Sequence, residues 1–459
     1  MEGDQQQLVL TAYIQDLCIY NFNCTYFKLV NIRKTHKMRI MIIKRLFTSG
    51  YKNLKNCTIS PTGIHALTGC NGSGKSNFLE VPEFVASLFS ESDEQRERLL
   101  KGHSPLGGEW FPFVNNKEEI NPFVFELSAS INVQGIEWDI DYSLEIEIPN
   151  FVSTYEYEGT AKISAEKIKI KQSSKPGQMK TILTRDDNIT LVLFENSRRK
   201  LEFKTKSDMS SLQVIEVRQA DDYEINFPVL SEFHKAFLAI NLLKLNPDKL
   251  ISASNRQSSA AFQSKPGSTI DFLPFHSLLQ EIKKDLDLWK RLLVWLKRLC
   301  NIDDISFELE ATGEDSSNKI GKYVFIHQQD RVLFPGELST GCAMLLGLLI
   351  AAHSFLPMSG SVILEEPETY LHPKAIIDLI TLLREISETN SVIFSTHSPV
   401  ALNSMHPNEV TVMEVLPNGF VTTRNVSEIR EAIETLNRGY ISFGDLLQSN
   451  FCIDNVFKK

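Results

Sequence analysis

The sequence predicts an α/β protein with a parallel-sheet core, an antiparallel β lobe and a helical lobe. Three observations carry that reading. Near the amino end, a short apolar run at 62–70 enters a glycine-rich loop and then a helix over about 75–90. Near the carboxyl end, strands at 360–365 and 391–395 flank a helix at 373–389, the alternation of a βαβ unit. Between them, residues 122–148 alternate apolar and polar, with Phe123, Phe125, Leu127, Ala129 and Ile131 facing one way, as in antiparallel strands.

The remaining elements follow in chain order. Residues 1–37 mix glutamines with isolated aromatics and read as an appendage, with Met38 or Met41 as alternative starts; a small amino-terminal domain is the competing reading. Residues 38–47 read as the first strand. Further strands are expected at 161–172, 180–195 and 199–206, and helices at 228–243 and 275–300. In the second helix Leu278, Ile282, Trp289, Leu292, Leu293, Leu296 and Leu299 recur at helical spacing, opposite a face carrying Lys283, Lys284, Lys290, Arg291, Lys297 and Arg298. A Ser-rich stretch at 252–268 reads as a loop. Strands return from 303, followed by a helix at 341–355.

Composition narrows the class. Lysine and arginine total 48 against 57 acidic residues, a net charge of −9, which argues against a surface plated for general nucleic-acid binding. A local basic groove stays open: either the polar face of the 275–300 helix or the cluster Arg198, Arg199, Lys200, Lys204 and Lys206 could track a phosphate backbone. A solvated face is the plainer reading of both. No apolar run reaches the roughly 18–20 residues a membrane-spanning helix needs, and no secretory signal is visible. The cysteines (18, 24, 57, 70, 300, 342 and 452) form no CxxC pair, so reduced thiols in a cytoplasmic protein are expected.

The chemistry sits in four short segments. Gly69-Cys70-Asn71-Gly72-Ser73-Gly74-Lys75-Ser76, followed by Asn77, fits the phosphate-loop pattern G-x-x-x-x-G-K-[ST] in full. The glycines let backbone N–H groups wrap a phosphate; Lys75 reaches the β- and γ-phosphates, Ser76 offers its hydroxyl to Mg²⁺, and the helix that begins here adds its positive end. Pro82 removes a bond from that helix, which is expected to kink or end there. Ser361–Glu366 is an apolar strand ending in two carboxylates, Glu365 suited to the metal and Glu366 to polarising an attacking water. Val392–Pro399 is a second apolar strand ending in Thr396-His397-Ser398, where His397 can sense a γ-phosphate. Leu338-Ser339-Thr340-Gly341 precedes an apolar helix, so Ser339 and Gly341 can present hydroxyl and N–H groups to a phosphate, although an N-cap serine explains the same residues.

Read in order, these segments resemble the ABC ATPase superfamily, and within it the stand-alone RecF/SMC/OLD-like branch. Glu366-Pro-Glu-Thr-Tyr-Leu-His-Pro373 and Ser395-Thr-His-Ser-Pro399 are similar to that branch's "EPE..LHP" and "THSP" stretches, and Ile43–Leu54 to its opening strand and turn. The resemblance covers roughly residues 38–110 and 330–415. Glu365 stands where aspartate is usual, and neither a Q-loop glutamine nor a transporter-type D-loop is evident.

The resemblance implies an ABC ATPase head with a mixed RecA-like core. ATP and Mg²⁺ would be its cofactors, and two copies would close head to head as a homodimer around two ATP molecules. Ser339 and Gly341 would then touch the γ-phosphate held by the other chain. The chain divides accordingly into an extension (1–37), an ATP-binding lobe with the antiparallel subdomain (38–225), a helical lobe leading to the signature (226–340) and the rest of the core (341–459). Relatives of this branch serve DNA repair or phage and plasmid defence. The residues after His397 are too few for a carboxy-terminal nuclease of the OLD type, so a separate nuclease or effector partner is expected, with DNA a possible ligand. A transporter's nucleotide-binding subunit is the alternative, disfavoured by the long insertion between Lys75 and Ser339. A non-hydrolysing scaffold is another, disfavoured by intact Lys75 and Glu366. A tethering protein with coiled-coil arms is excluded by the shortness of the 275–300 helix.

Overall fold

The structure is a computed structural model. It describes residues 41–448 except 91–92, 104–108, 112–121, 154–155, 196–198, 222–226, 241, 244–278, 280–281, 312–318 and 439–440. The 1–37 extension, the Ser-rich 252–268 stretch, Leu278 and Arg198 therefore lie outside the described residues.

From the amino end run strands β1 (Met41–Ser49), β2 (Cys57–Ile59) and β3 (Ile64–Thr68), then helices α1 (Lys75–Ser90) and α2 (Asp93–Leu100). Strands β4 (Phe123–Val133), β5 (Ile136–Glu147), β6 (Asn150–Ser153), β7 (Glu156–Glu158), β8 (Lys162–Gln172), β9 (Lys180–Asp186), β10 (Ile189–Leu193) and β11 (Lys200–Lys204) follow. Next come α3 (Ser211–Asp221), α4 (Pro228–Leu238), β12 (Leu242–Leu243), α5 (Leu286–Cys300), β13 (Asp304–Ala311), β14 (Lys319–Gln328) and β15 (Arg331–Leu333). The carboxyl part holds α6 (Thr340–Ser359), β16 (Ser361–Glu365), α7 (Pro373–Ser387), β17 (Ser391–Ser395), α8 (Pro399–Asn403), β18 (Val410–Val415), β19 (Val421–Asn425), α9 (Arg430–Asn437) and α10 (Phe443–Gln448).

Two sheets organise the chain. The core sheet runs β12-β16-β17-β3-β18-β19, parallel throughout except for the β18–β19 hairpin at its edge. Its central strands are apolar along their length because both faces are covered. Successive side chains point to opposite faces: Ile363 joins the cluster shared with α1 and α4, while Val362 and Leu364 join the cluster under α5, α6 and α7. The second sheet, β11-β10-β9-β8-β5-β4-β1-β2, is antiparallel. The expected alternation is present, with Phe123, Phe125, Leu127, Ala129 and Ile131 all buried. Gln134 and Gly135, both with positive φ, close the β4–β5 hairpin in the turn whose twist suits antiparallel strands. Helices α1 and α4 share one core with both sheets. The first strand is also pinned directly to the core sheet: Ser361 Oγ donates to Met41 O (2.8 Å) and Ile43 N donates to Ser391 Oγ (2.8 Å).

Four local expectations are corrected. Helix α1 does not end at Pro82 but continues to Ser90. Its neighbours Phe78, Leu79, Val81, Phe84 and Val85 are buried between the sheets, and that packing outweighs a bond worth about 3 kcal/mol in a regular helix. The 228–243 helix stops at Leu238, and Leu242–Leu243 instead pairs in parallel with Ile363–Leu364 at the edge of the core sheet. The 275–300 helix starts afresh at Leu286, because the Asp285 carboxylate accepts from Asp287 N and Leu288 N (3.1 Å each) as an N-cap. The 180–195 strand is a hairpin, β9 and β10, turning at Asp187.

The basic patches are partly committed within the chain. Arg298 is paired with Asp378 at 2.6 Å and Lys297 with Asp303. Lys200 and Lys204 are exposed on β11, the edge strand of the antiparallel sheet, where lysines hinder pairing with another strand. Among the described residues no helix is long and apolar enough to cross a membrane.

Candidate active site

The carboxyl ends of parallel strands are where ligands meet an open α/β sheet. In the core sheet Glu365 pairs with Ser395, and Ser395 with Leu67, so three strands end in register. The residues that follow each end are Glu366, Thr396 and the start of the glycine-rich loop. Thr396 N donates to Leu67 O (2.9 Å), which continues the pairing one step past the strand.

The loop Gly69–Ser76 curls between β3 and α1. Ser73 N donates to Cys70 O (3.1 Å), and Phe78 N to Gly74 O (2.9 Å) closes the first turn of the helix. The Lys75 ammonium arcs back over the loop, donating to Gly69 O and Cys70 O at 3.1 Å each. Burial pulls its pKa down, while Glu366, the Cys70 thiol and Glu365 pull it up; all three groups are therefore within electrostatic reach. At Gly72, φ is +78° and a Cβ would meet nothing within 4 Å, so the space beside this exposed residue is open. Asn71 and Ser76 are exposed beside it. Asn77 differs: its amide donates to Asn53 Oδ1 (2.9 Å), tying the helix to the 50–55 turn.

Glu366 adopts a left-handed φ of 43°, which turns the chain sharply out of β16. Its N–H donates to Ser395 Oγ (3.1 Å), and its carboxylate Oε1 lies 3.5 Å from His397 Nε2. Burial and the nearby Lys75 charge hold the His397 ring below its ordinary value, against the opposing pull of Glu366. The contact with Glu366 is an ion pair only when the ring is protonated, which this lowering disfavours.

Lys75, Glu365, Glu366 and His397 are thereby brought together from three separated segments. The signature residues sit elsewhere in the arrangement. Ser339 Oγ accepts from Cys342 N (3.3 Å) at the start of α6, as an N-cap would. Gly341 lies against the turn after Glu366, where a Cβ would stand 2.9 Å from Tyr370 O.

The donors fit a nucleoside triphosphate with Mg²⁺: a loop with positive φ at Gly69, Gly72 and Gly74, a lysine folded back over it within electrostatic reach of Glu365 and Glu366, and an exposed Ser76 hydroxyl next in the chain. Among the described residues no group of three or more His, Cys, Asp or Glu forms a metal cage. Mg²⁺ asks for less, taking one or two protein oxygens with phosphates and water completing its shell.

Glu368 and Ser395 both stand in the motif stretches of the sequence, but the pattern assigns neither a role. Their partners are fixed only by strand register, and no spacing rule signals them.

A family model, AAA_21, described as "AAA domain, putative AbiEii toxin, Type IV TA system", matches residues 64–403, most of the chain. The chain belongs to this family. A curated relative, the OLD nuclease of Thermus scotoductus, is 33% identical over 100 residues, covering 21% of this chain and 19% of that protein. The chain thus matches about a fifth of that relative's length. Similar solved structures include the SMC head domain from Thermotoga maritima (14% identity, 84% of this chain and 98% of that one, TM-score 0.38). Another is the Smc head with an extended coiled coil bound to the C-terminal domain of ScpA, derived from Pyrococcus furiosus (12% identity, 87% and 100%, TM-score 0.40). Residues 64–403 take in the glycine-rich loop, most of the antiparallel lobe and the strands β16 and β17 of the parallel core, so these are parts of the AAA_21 domain of this chain.

Proposed function

We propose that this chain hydrolyses ATP, and that two copies close head to head around two nucleotides to drive a conformational switch. The observation that carries the reading is the convergence of Lys75, Glu366 and His397 at the ends of adjacent strands, with Glu366 and His397 3.5 Å apart.

In this reading the loop N–H groups from Gly69 to Lys75 hold the phosphates, and Lys75 leaves the Gly69 and Cys70 carbonyls for the β- and γ-phosphate oxygens. Ser76 and Glu365 would hold Mg²⁺, which would supply charge neutralisation at the phosphates. Glu366 takes the proton of the attacking water, and His397 orients that water and the γ-phosphate. Ser339 and Gly341 complete the site of the partner copy.

The process served is proposed to be DNA-associated, in phage or plasmid defence or in repair, with a separate nuclease or effector as partner. The toxin–antitoxin wording of the family description and the nuclease named over the matched 100 residues support this reading. The test is Glu366→Gln: it keeps every nucleotide contact but removes the base, so the variant should accumulate as an ATP-bound dimer. Light scattering behind size exclusion with MgATP reads this directly. A variant that stays monomeric would count against closure around two nucleotides.

A further inference from the structure

Glu368 lies two residues beyond Glu366, yet its carboxylate turns inward, towards the end of β17. Oε1 accepts from the Thr396 hydroxyl and from His397 N (3.1 Å). Thr396 Oγ1 in turn accepts from the N–H of Ser398 (3.0 Å), the N-cap of α8. Oε2 is buried and has no hydrogen-bond partner among the described residues. Burial pushes the carboxyl above its ordinary value, so the group is held here against a desolvation cost.

A second bond crosses the same gap in the opposite sense, from Glu366 N to Ser395 Oγ. The turn after β16 thus donates a backbone N–H to the β17 end, and the β17 end donates one back to the turn. Together the two crossings fix the backbones of Glu366 and His397 relative to each other. Only side-chain torsions then remain to set the 3.5 Å between carboxylate and imidazole.

We infer that Glu368 is a positioning residue that locks the His397 backbone to the turn bearing Glu366, and that its length, rather than its charge, performs the task. This rests on the proposed ATPase reading. A glutamate reaches both Thr396 and His397; an aspartate would stop one methylene short. A glutamine keeps an acceptor oxygen at Oε1 and puts its amide where Oε2 already lacks a partner.

The test compares Glu368→Asp and Glu368→Gln in the full chain with MgATP. Glu368→Gln should keep kcat within about three-fold of wild type. Glu368→Asp should lower kcat by about 100-fold, the scale of a one-ångström misplacement, with KM for ATP changed by less than about two-fold. The opposite ranking, aspartate active and glutamine inactive, would overturn the inference in favour of a charge role. Equal activity of both variants would overturn it too.

A second readout does not need turnover. The His397 ring resonance, assigned by its loss in His397→Gln, should titrate below 6.5 in wild type and Glu368→Gln, and move towards 6.5 in Glu368→Asp as the ring gains solvent. An unchanged titration in Glu368→Asp refutes the lock whether or not the protein turns over ATP. Failure of the ATPase reading shows separately, as wild-type protein with no hydrolysis above Glu366→Gln.

Discussion

Substituting the loop glycines separates folding from binding at one site. Gly72 has φ +78° and open space where its Cβ would go. Alanine there meets only the left-handed backbone penalty, roughly 1–2 kcal/mol. In a chain of this size that lowers the melting temperature by no more than about 4 °C. On the proposed reading the open space beside Gly72 receives phosphate, so the added methyl should lower ATP affinity at least ~100-fold, about 2.8 kcal/mol. Gly69 is the control. Its φ is +148°, and a Cβ would run into Met413 O and stand 2.7 Å from Ser73 Oγ, so Gly69→Ala should destabilise the fold more than Gly72→Ala does. Differential scanning fluorimetry and calorimetric titration of MgATP read both quantities on each protein. A folded Gly72→Ala variant with wild-type ATP affinity would refute the assignment of that open space to phosphate.

Three further outcomes are expected. Because burial and Lys75 hold His397 below its ordinary value, with Glu366 opposing, the ring gains its proton only at lower pH; the acid limb of kcat should lie at lower pH than an ordinary imidazole sets, and a limb shifted to higher pH contradicts this. The Cys342 thiol, next to Gly341, is lowered to about 6, first by a hydrogen bond with Cys300 and also by one with Ser339. Iodoacetamide should therefore alkylate Cys342 with a midpoint near pH 6, while Cys57, buried and raised to about 12, stays unlabelled at neutral pH by peptide mass mapping. Glu166 is buried and accepts from Ser211 N (2.6 Å), Ser210 Oγ (2.8 Å) and Tyr142 OH (3.2 Å). Glu166→Ala leaves those donors without an acceptor and should cost on the order of 3 kcal/mol in a denaturant titration, with ATP affinity unchanged.

Much of this was legible in the residues, for identifiable reasons. The loop 69–76 needs glycine where φ is positive and lysine where phosphate lies, and those demands leave a pattern in the sequence. Strands β16 and β17 are apolar on both faces and end in polar groups, so their limits could be read almost to the residue. The helix ends were less legible. Leu242 and Leu243 are as compatible with a helix as with a strand, and only the free edge of β16 decides between them. Asp285 reads as one more polar residue on a helix until its carboxylate is seen capping the next one. Pro82 carries a strong local penalty that packing between two sheets overrides. Contacts such as Glu368 with Thr396, or Ser361 with Met41, join residues far apart in the chain and depend on register, which periodicity does not encode.

The most direct measurement is a crystal structure of Glu366→Gln with ATP and Mg²⁺. One triphosphate should sit on the 69–76 loop, with Lys75 Nζ moved from the Gly69 and Cys70 carbonyls to its phosphates and His397 facing the γ-phosphate. Mg²⁺ should lie between Ser76 and Glu365, and Ser339 of a second copy should close over the site. A nucleotide seated away from Lys75, or an occupied loop with His397 turned away from it, would contradict the central claim.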